Sequence, residues 1–111
     1  MAAPRPGKAA RGSASGRPIM AALDLLGRRW TLRVLWELRD GAAVSFRALQ
    51  ARCGGMSPTV LNQRLAELRD VGLVELEADG YALTRLGREL VGALAPLNEW
   101  SKRWARRLAG G

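Results

Sequence analysis

Histidine is absent from the 111 residues, and cysteine occurs once, at Cys53. Without histidine, the chain lacks the most common general base and the most common metal ligand of proteins. A single cysteine excludes an intramolecular disulfide and a zinc site built from several cysteines. Because the sequence also shows no nucleophile motif and no phosphate-binding loop, we predict that the protein is not an enzyme and requires no metal or cofactor.

Long apolar runs are also missing. No stretch approaches the roughly 20 residues that a membrane-spanning helix requires, and the N-terminus lacks the apolar core of a signal peptide. We therefore expect a cytoplasmic protein without a membrane partner. The length of 111 residues, with 48% hydrophobic and 25% charged residues, suits one globular domain.

The formal net charge is +8, and most of it lies at the two ends of the chain. Residues 1–17 contain four basic residues and no acidic residue, whereas residues 97–111 contain four basic residues and one acidic residue. An excess of positive charge favours polyanions such as DNA, RNA or an anionic membrane. Residues 1–17 are also rich in Gly, Ala, Ser and Pro, so we predict a disordered basic arm before a domain that spans residues 18–111.

Four helices are predicted in the first two thirds of the chain from apolar residues at helical spacing. The first covers residues 19–26 and is expected to end at Gly27 in a left-handed conformation. The second starts at Trp30 and is apolar on all sides, which predicts a largely buried helix. Ser45 can cap the third helix, which the Gly54-Gly55 pair ends.

The fourth helix has the clearest signals. Ser57 is a good N-cap, and Pro58 suits the first helical position. Leu61, Leu65 and Leu68 recur at i, i+4 and i+7 and mark one buried stripe. A rotation of about 100° per residue places Thr59 and Gln63 opposite this stripe, with Asn62 and Arg64 on its flanks.

A hairpin and a final helix complete the predicted fold. Two short strands follow Gly72, with a type I′ turn expected at Asp79-Gly80, and Thr84 can cap the last helix. The apolar stripe of that helix comprises Leu86, Leu90, Leu94, Leu97, Trp100, Trp104 and Leu108. The order indicates a mainly α-helical fold with a small β-hairpin, a winged helix-turn-helix with an additional helix at each end.

The outward side of the fourth helix suits DNA. The major groove admits one α-helix, and side chains that both donate and accept hydrogen bonds read its base edges. Amides suit adenine, arginine suits guanine or a phosphate, and hydroxyls in the first turn suit a phosphate or a base edge. The predicted DNA-binding residues are Ser57, Thr59, Asn62, Gln63 and Arg64, with Arg47 and Arg52 of the preceding helix holding the DNA backbone.

Two alternatives remain open at this point. A polar face opposite a leucine stripe also occurs on solvated helices, and the same face or the acidic wing would suit a protein interaction module without specific DNA binding. The final helix carries Lys102, Arg103, Arg106 and Arg107 beside two tryptophans, a pattern that also occurs on membrane surfaces. Its stripe continues a helix already packed on the domain, which favours a dimer interface.

Several segments resemble the HxlR-type transcriptional regulators, relatives of the MarR group. They are ALDLLGRRWTLRVLWELRDG, SFRAL, GGMSPTVLNQRLAELRDVGLVE, YALTRLG and a Pro-bearing helix that ends in NEW, within residues 19–104. The resemblance implies a homodimer that binds an inverted repeat in a promoter, with residues 57–69 as the recognition helix. It also implies a dimer interface between the first and last helices, for which we predict Leu23, Leu26, Leu94, Leu97, Trp100 and Trp104.

The chain departs from this family pattern at two places. Many members carry a sensing cysteine directly before the proline that precedes the first helix, whereas this chain has Arg17 before Pro18. We therefore do not expect this chain to share the cysteine sensing of those family members. Cys53 is expected to be a small buried apolar residue. The wing is short and acidic, so the N-terminal arm is the better candidate for additional DNA contacts. A small-molecule effector between the dimer helices and the winged domain is a further expected partner, of unidentified chemistry.

Overall fold

The computed structural model describes residues 3–7 and 16–110. Within these residues, the chain forms five helices and one hairpin in the order predicted from the sequence. The elements are α1 (Pro18–Leu26), α2 (Thr31–Glu37), α3 (Phe46–Cys53), α4 (Pro58–Asp70), β1 (Val74–Glu77), β2 (Gly80–Leu83) and α5 (Arg85–Ala109). The fold is a winged helix-turn-helix with one helix before it and a long helix after it.

The turn between α1 and α2 corrects one expectation. Gly27 has a φ of −77° and continues the right-handed path, because its N–H still donates to the Leu23 carbonyl at 2.9 Å. The left-handed residue is Trp30, which has a φ of 76° directly before α2. Such a backbone conformation costs a bulky residue on the order of 1–3 kcal/mol, so the surrounding contacts must hold this turn in place.

The core lies where α2, α3, α4 and the hairpin meet. Its most completely buried side chains are Leu35, Leu38, Leu49, Leu61, Leu65, Leu68, Leu83 and Val34. The predicted burial of α2 holds for Val34 and Leu35 but does not extend to the whole helix. Leu32 is 44% exposed, and Trp36 is half-buried with the guanidinium of Arg39 4.5 Å from its ring centroid.

The helix-turn-helix forms as its capping residues predict. Ser45 and Ser57 each accept a hydrogen bond at 3.1 Å from the backbone N–H three residues later, at the starts of α3 and α4. Gly54 and Gly55 make the turn between these helices with φ values of 50° and 70°. Both values lie in the left-handed region, which glycine adopts at little cost.

The wing is a two-stranded antiparallel hairpin whose turn differs from the prediction. Glu77 pairs with Gly80, so the two loop residues are Ala78 and Asp79 instead of Asp79 and Gly80. A type I′ turn requires a positive φ at both loop residues, and neither Ala78 nor Asp79 has one. The predicted type I′ turn is therefore wrong.

A contact with the α2–α3 connection explains this register. Val44 and Tyr81 exchange two backbone hydrogen bonds of 2.8 Å, which add a short bridge to the outer side of β2. Gly80 lies against this bridge, where an added Cβ would be 2.3 Å from the Val44 carbonyl oxygen. Gly80 is therefore required within the strand and is not free to serve as a turn residue.

The long helix α5 starts against the wing and runs for 25 residues, with Pro96 inside it. The Thr84 hydroxyl accepts from the Gly87 N–H at 3.1 Å and donates to the Gly72 carbonyl at 2.6 Å. Gly87 is buried at this start, and a Cβ there would lie 2.1 Å from the Leu73 carbonyl oxygen. The close approach anchors the first turn of α5 to the winged domain.

Residues 3–7 lie against the domain, in contrast to the disordered arm predicted for residues 1–17. Ala3 is 6% exposed, and Nη2 of Arg5 is 2.7 Å from Oδ1 of Asp70 and 2.8 Å from its carbonyl oxygen. Gly7 donates its N–H to the Gly16 carbonyl at 2.8 Å, which brings the two described pieces of the arm together. The rest of the predicted arm, including residues 8–15, lies outside the described residues.

Candidate nucleic-acid interface

The predicted reading side of α4 is exposed. Thr59, Asn62 and Gln63 are all exposed, whereas the leucine stripe on the other side is at most 1% exposed. Within the part of the chain that is described, the side chains of Asn62 and Gln63 make no hydrogen bond. Their amide groups therefore remain available to an external ligand that offers both donors and acceptors.

Ser57 lies at the N-terminal end of this face. Its hydroxyl oxygen accepts from the Val60 N–H at 3.1 Å and so caps α4. A serine hydroxyl has one donor as well as its acceptor lone pairs, and the donor is not used by the cap. Ser57 can therefore cap the helix and donate to a phosphate at the same time.

Arg64 lies on the flank of the leucine stripe, where the helical spacing places it, but its guanidinium is paired within the protein. Its side chain is 18% exposed, and Nη1 donates to Oε1 of Glu67. Nε of Arg64 is buried and has no hydrogen-bond partner among the described residues. The buried side of α4 is wider than the leucine stripe and includes Glu67, which is 8% exposed, so it draws the guanidinium of Arg64 inward.

Glu67 also pairs with Arg28 in the α1–α2 turn, whose Nη1 donates to Oε2. Neither residue belongs to a pattern that the sequence alone makes evident. The spacing of three residues between Arg64 and Glu67 is a local signal for an ion pair on a helix. No local signal connects Arg28 to Glu67, because 39 residues separate them.

The two arginines predicted on α3 differ in their surroundings. Arg47 is exposed, and within the described residues its guanidinium has no hydrogen-bond or ion-pair partner. Arg52 is also exposed, but its Nη1 donates to the Glu37 carbonyl at 3.2 Å. Arg47 is therefore ready to contact a phosphate, whereas Arg52 would share its donors between α2 and an external ligand.

The C-terminal part of α4 adds two charges that the prediction left out. Arg69 is exposed seven residues after Asn62, which places both on one side of the helix. Asp70 is exposed as well, and its negative charge is paired with Arg5. The basic Arg69 would favour a polyanion at this end of α4, and Arg5 offsets the unfavourable charge of Asp70.

The wing is acidic on its exposed side. Glu75, Glu77 and Asp79 are exposed, as is the apolar Leu76, whose exposed fraction is 51%. Val74 and Leu76 alternate with Glu75 and Glu77 along β1, but only Val74 reaches the core. Three carboxylates on the exposed side of the wing disfavour contact with DNA phosphates.

Cys53 is buried at the end of α3, with an exposed fraction of 2%. Burial raises the pKa of its thiol above the ordinary value, the nearby Glu37 carboxylate raises it further, and Arg33 partly opposes the shift. The thiolate is the reactive form of cysteine, so this environment makes Cys53 unreactive near neutral pH. Within the described residues, no group of three or more potential ligands could hold a metal ion.

A second surface is apolar and lies on α1 and α5. Ile19, Leu23, Leu86, Leu97, Trp100, Trp104 and Leu108 are each 47–66% exposed. Leu26 and Leu94, which were also predicted in an interface, are half-buried. The rings of Trp100 and Trp104 are stacked, with centroids 5.6 Å apart and planes inclined by 9°. Among the described helices, none combines the length and hydropathy needed to cross a membrane.

An apolar groove lies between α1 and the start of α5. Leu25, Leu73 and Leu90 line it, together with the described arm residues Pro4 and Pro6. Glu89 also borders the groove. Its lining suits a small apolar ligand with few polar groups.

The comparison with protein families decides what kind of protein carries this interface. A family model described as HxlR-like helix-turn-helix matches residues 25–109, which contain α2 to α5. The chain belongs to the HxlR-like helix-turn-helix family. Since members of this family are transcriptional regulators, the winged helix described above is that of an HxlR-type transcriptional regulator, and the resemblance seen in the sequence is confirmed.

Relatives of known sequence and structure agree with this assignment to the HxlR family. An uncharacterised HTH-type transcriptional regulator of Mycobacterium bovis is 35% identical over 102 residues, which cover 86% of this chain and 63% of that protein. The crystal structure of a possible HxlR family transcriptional factor from Thermoplasma volcanium is 31% identical, with a TM-score of 0.70 and coverage of 80% of this chain and 85% of that chain. The HxlR-type chain therefore spans less than two thirds of the mycobacterial relative but most of the solved structure.

A further similar structure contains a ligand. The quinone-bound YodB from Bacillus subtilis is 27% identical to this HxlR-type chain, with a TM-score of 0.72. The match covers 77% of this chain and 96% of that chain. The likeness therefore includes nearly the whole of a chain whose structure contains a bound quinone.

Proposed function

We propose that this HxlR-type regulator is a cytoplasmic homodimer that binds an inverted-repeat operator and reads base edges with α4. The observation that carries the proposal is the side-chain arrangement of α4. Leucines bury one side of the helix completely, and Asn62 and Gln63 extend from the other side without side-chain hydrogen bonds to any described residue. The proposed activity is binding alone, with no catalytic step.

Base reading is assigned to the two amides and to Thr59. Asn and Gln can form bidentate hydrogen bonds with N6 and N7 of adenine in the major groove, and the thymine methyl offers apolar contact to a threonine. Because the three side chains lie within five consecutive residues, they would face a few neighbouring base pairs. This arrangement supports recognition of a short half-site.

Phosphate contacts are assigned to the ends of the reading helix and to α3. Ser57 can donate its hydroxyl while it caps α4, and Arg47 is exposed and has no partner within the described residues. Arg52 can contribute a second contact from α3, and Arg69 adds a positive charge at the far end of α4. Arg64 takes no DNA contact in this proposal, because its guanidinium is held by Glu67.

Dimerisation is assigned to the apolar surface of α1 and α5. A patch of leucines with two stacked tryptophans resembles the core of a protein interface, in which aromatic residues are enriched. A two-fold pair of winged helices would present two reading helices to half-sites about one DNA turn apart. The basic side chains beside the tryptophans remain at the rim of such an interface.

An apolar small molecule is the proposed effector. The groove between α1 and α5 adjoins the proposed dimer surface, so a ligand there would contact both the winged domain and the helices that pair. The similar YodB structure contains a bound quinone, which makes planar apolar compounds of this class the first ligands to test. Binding would be non-covalent, because Cys53 is buried in the core and lies outside the groove.

The decisive experiment is selection of bound sites from random double-stranded DNA, followed by gel shifts on the selected sequence. The proposal expects an inverted repeat and retention in the presence of excess competitor DNA. No enriched sequence would contradict it and would favour the alternative, a protein interaction module that docks partners through its acidic wing and exposed Leu76. Quinone titration of the selected complex tests the effector separately.

A further inference from the structure

Glu67 forms a buried ion cluster with two arginines from different parts of the chain. We call Arg28, Arg64 and Glu67 the Glu67 cluster. Each oxygen of the carboxylate accepts from a different arginine, Oε2 from Arg28 and Oε1 from Arg64. The side chain of Glu67 is 9% exposed, and those of both arginines are 18% exposed.

The cluster joins the reading helix to the turn that follows α1. Arg28 lies in this turn, where its N–H donates to the Leu25 carbonyl and its own carbonyl accepts from the Thr31 N–H, both at 3.2 Å. Trp30, in the same turn, holds a left-handed conformation that requires support from its surroundings. A hydrogen bond from this turn to α4 therefore connects two well-defined backbone positions.

Such a connection provides directional restraint that the leucine stripe lacks. Burial of leucines is favourable in many orientations, because the hydrophobic effect is non-directional. Charge-assisted hydrogen bonds from guanidinium to carboxylate depend strongly on geometry. Glu67 is one helical turn after Gln63, so a restraint at Glu67 acts directly on the part of α4 that carries the amides.

Because the Glu67 cluster is buried, we do not expect it to contribute much to the free energy of folding. Replacement of a buried ion cluster by apolar residues is often neutral or stabilising, because desolvation offsets much of the ionic attraction. Nε of Arg64 is also left without a partner among the described residues. A role in orientation explains the presence of these charges better than a role in folding does.

We propose that Glu67 and Arg28 are positioning residues for DNA reading. The Glu67 cluster sets the angle of α4 relative to α1, and through α1 relative to the proposed dimer surface. Loss of the cluster would leave the amides exposed but misdirected, so that operator DNA loses affinity while random DNA keeps it. This inference rests on the proposed DNA-binding function.

The first test compares Glu67→Gln with Glu37→Gln. Glu37 is the matched control because its carboxylate is also largely buried, with 18% exposure, and pairs with Arg33 at 2.9 Å on a helix that does not read DNA. For each variant, Kd is measured on the selected operator and on a random duplex at one salt concentration. Glu67→Gln should lower the ratio of random to operator Kd at least tenfold, and Glu37→Gln should change it less than twofold. An unchanged ratio for Glu67→Gln overturns the inference.

A second variant distinguishes the loss of positioning from a folding defect. The triple change Arg28→Met, Arg64→Met and Glu67→Met removes the charges of the whole Glu67 cluster together, so that none of the three remains buried without its partner. We expect this protein to unfold in urea at or above the wild-type midpoint and still to lose at least tenfold in the Kd ratio. Wild-type discrimination in a folded triple variant would contradict a positioning role.

A measurement without DNA separates this inference from the proposed function. Residual dipolar couplings of backbone amides report the angle between α1 and α4 in solution. Glu67→Gln should change that angle, and Glu37→Gln should not. If wild-type protein selects no DNA sequence, the proposed function fails. The angle between α1 and α4 still tests whether the Glu67 cluster orients α4. If wild-type selects an operator and the angle and Kd ratio are unaffected by Glu67→Gln, only the inference fails.

Discussion

Arg5 holds the C-terminal end of α4 through two contacts with Asp70. Its Nη2 atom lies 2.7 Å from the carboxylate Oδ1 and 2.8 Å from the backbone carbonyl oxygen. Both side chains are 48% exposed, so the pair contributes little to stability on its own. Its larger consequence is electrostatic, because it neutralises an acidic residue on the exposed part of α4.

This pair predicts opposite effects of two substitutions on DNA affinity. Asp70→Asn removes a negative charge near the proposed DNA surface and should strengthen binding to operator and random duplexes alike by about two- to fivefold at low salt. Arg5→Ala leaves Asp70 unpaired and should weaken both by a similar factor. Fluorescence anisotropy at several salt concentrations measures these changes. Unchanged affinity for both variants would place this end of α4 away from the DNA.

The amides of α4 should control sequence preference. Asn62→Ala and Gln63→Ala are each expected to reduce operator affinity by about 1–3 kcal/mol while random DNA is bound as before. Arg47→Ala should weaken operator and random DNA equally and reduce the salt slope by about one, as loss of a phosphate contact does. Arg85→Ala is the matched control, since its side chain is 89% exposed at the start of α5. Equal losses on both DNAs for the amide variants would exclude base reading.

The apolar surface of α5 should support a dimer. Truncation of an aromatic residue in the centre of an interface costs about 2 kcal/mol or more, so Trp104→Ala should raise the dimer Kd about thirtyfold. Leu76→Ala serves as the control, because Leu76 of the wing is 51% exposed and Trp104 is 53% exposed. Sedimentation equilibrium measures both. A monomeric wild-type protein, or equal effects of the two changes, would contradict the assigned interface.

Two glycines of α5 should respond in opposite directions to alanine. A Cβ at Gly87 would lie 2.1 Å from the Leu73 carbonyl oxygen, so Gly87→Ala should destabilise the fold by about 1–3 kcal/mol. Gly92 is exposed in the same helix with nothing within 4 Å of an added Cβ. Gly92→Ala should therefore stabilise the protein by up to about 1 kcal/mol, because alanine favours helix. Urea denaturation of both variants measures the difference.

The thiol of Cys53 should make stability depend on pH in the alkaline range. Burial raises its pKa in the folded state, so the fold favours the neutral thiol. The contribution is fully present below the pKa of an unfolded cysteine, about 8.5, and is lost as pH rises through the folded pKa. Cys53→Ala should remove this component of the pH dependence. Rapid alkylation of the native protein at pH 7 would show that the thiol is not protected.

The correctly predicted parts of the fold depend on interactions between residues that are close together in the sequence. The caps at Ser45, Ser57 and Thr84 each depend on a contact three residues along the chain, so the starts of α3, α4 and α5 could be located correctly. The spacing of leucines likewise placed Asn62 and Gln63 on the exposed side of α4. These features depend on local backbone geometry, which can be inferred directly from the order of residues in the sequence.

Two errors occurred where a distant segment decides the local structure. The hairpin turn shifted by one residue because Val44 pairs with Tyr81, and Gly80 must fit beside that bridge. Arg64 lies inward because Glu67 is buried, and the burial of Glu67 involves Arg28 from another part of the chain. A helical wheel centred on leucines treats a buried carboxylate as solvent-exposed and cannot reveal this pairing.

The sequence alone determined the elements, their order, the exposed amides of α4 and the family. Helix periodicity and capping depend on residues at most four positions apart, so they can be recognised from the sequence without knowledge of the fold. Only the tertiary structure decided which charges meet. Arg5 reaches Asp70 and Arg28 reaches Glu67 across 65 and 39 residues, because the packing of the whole core brings those backbone segments together.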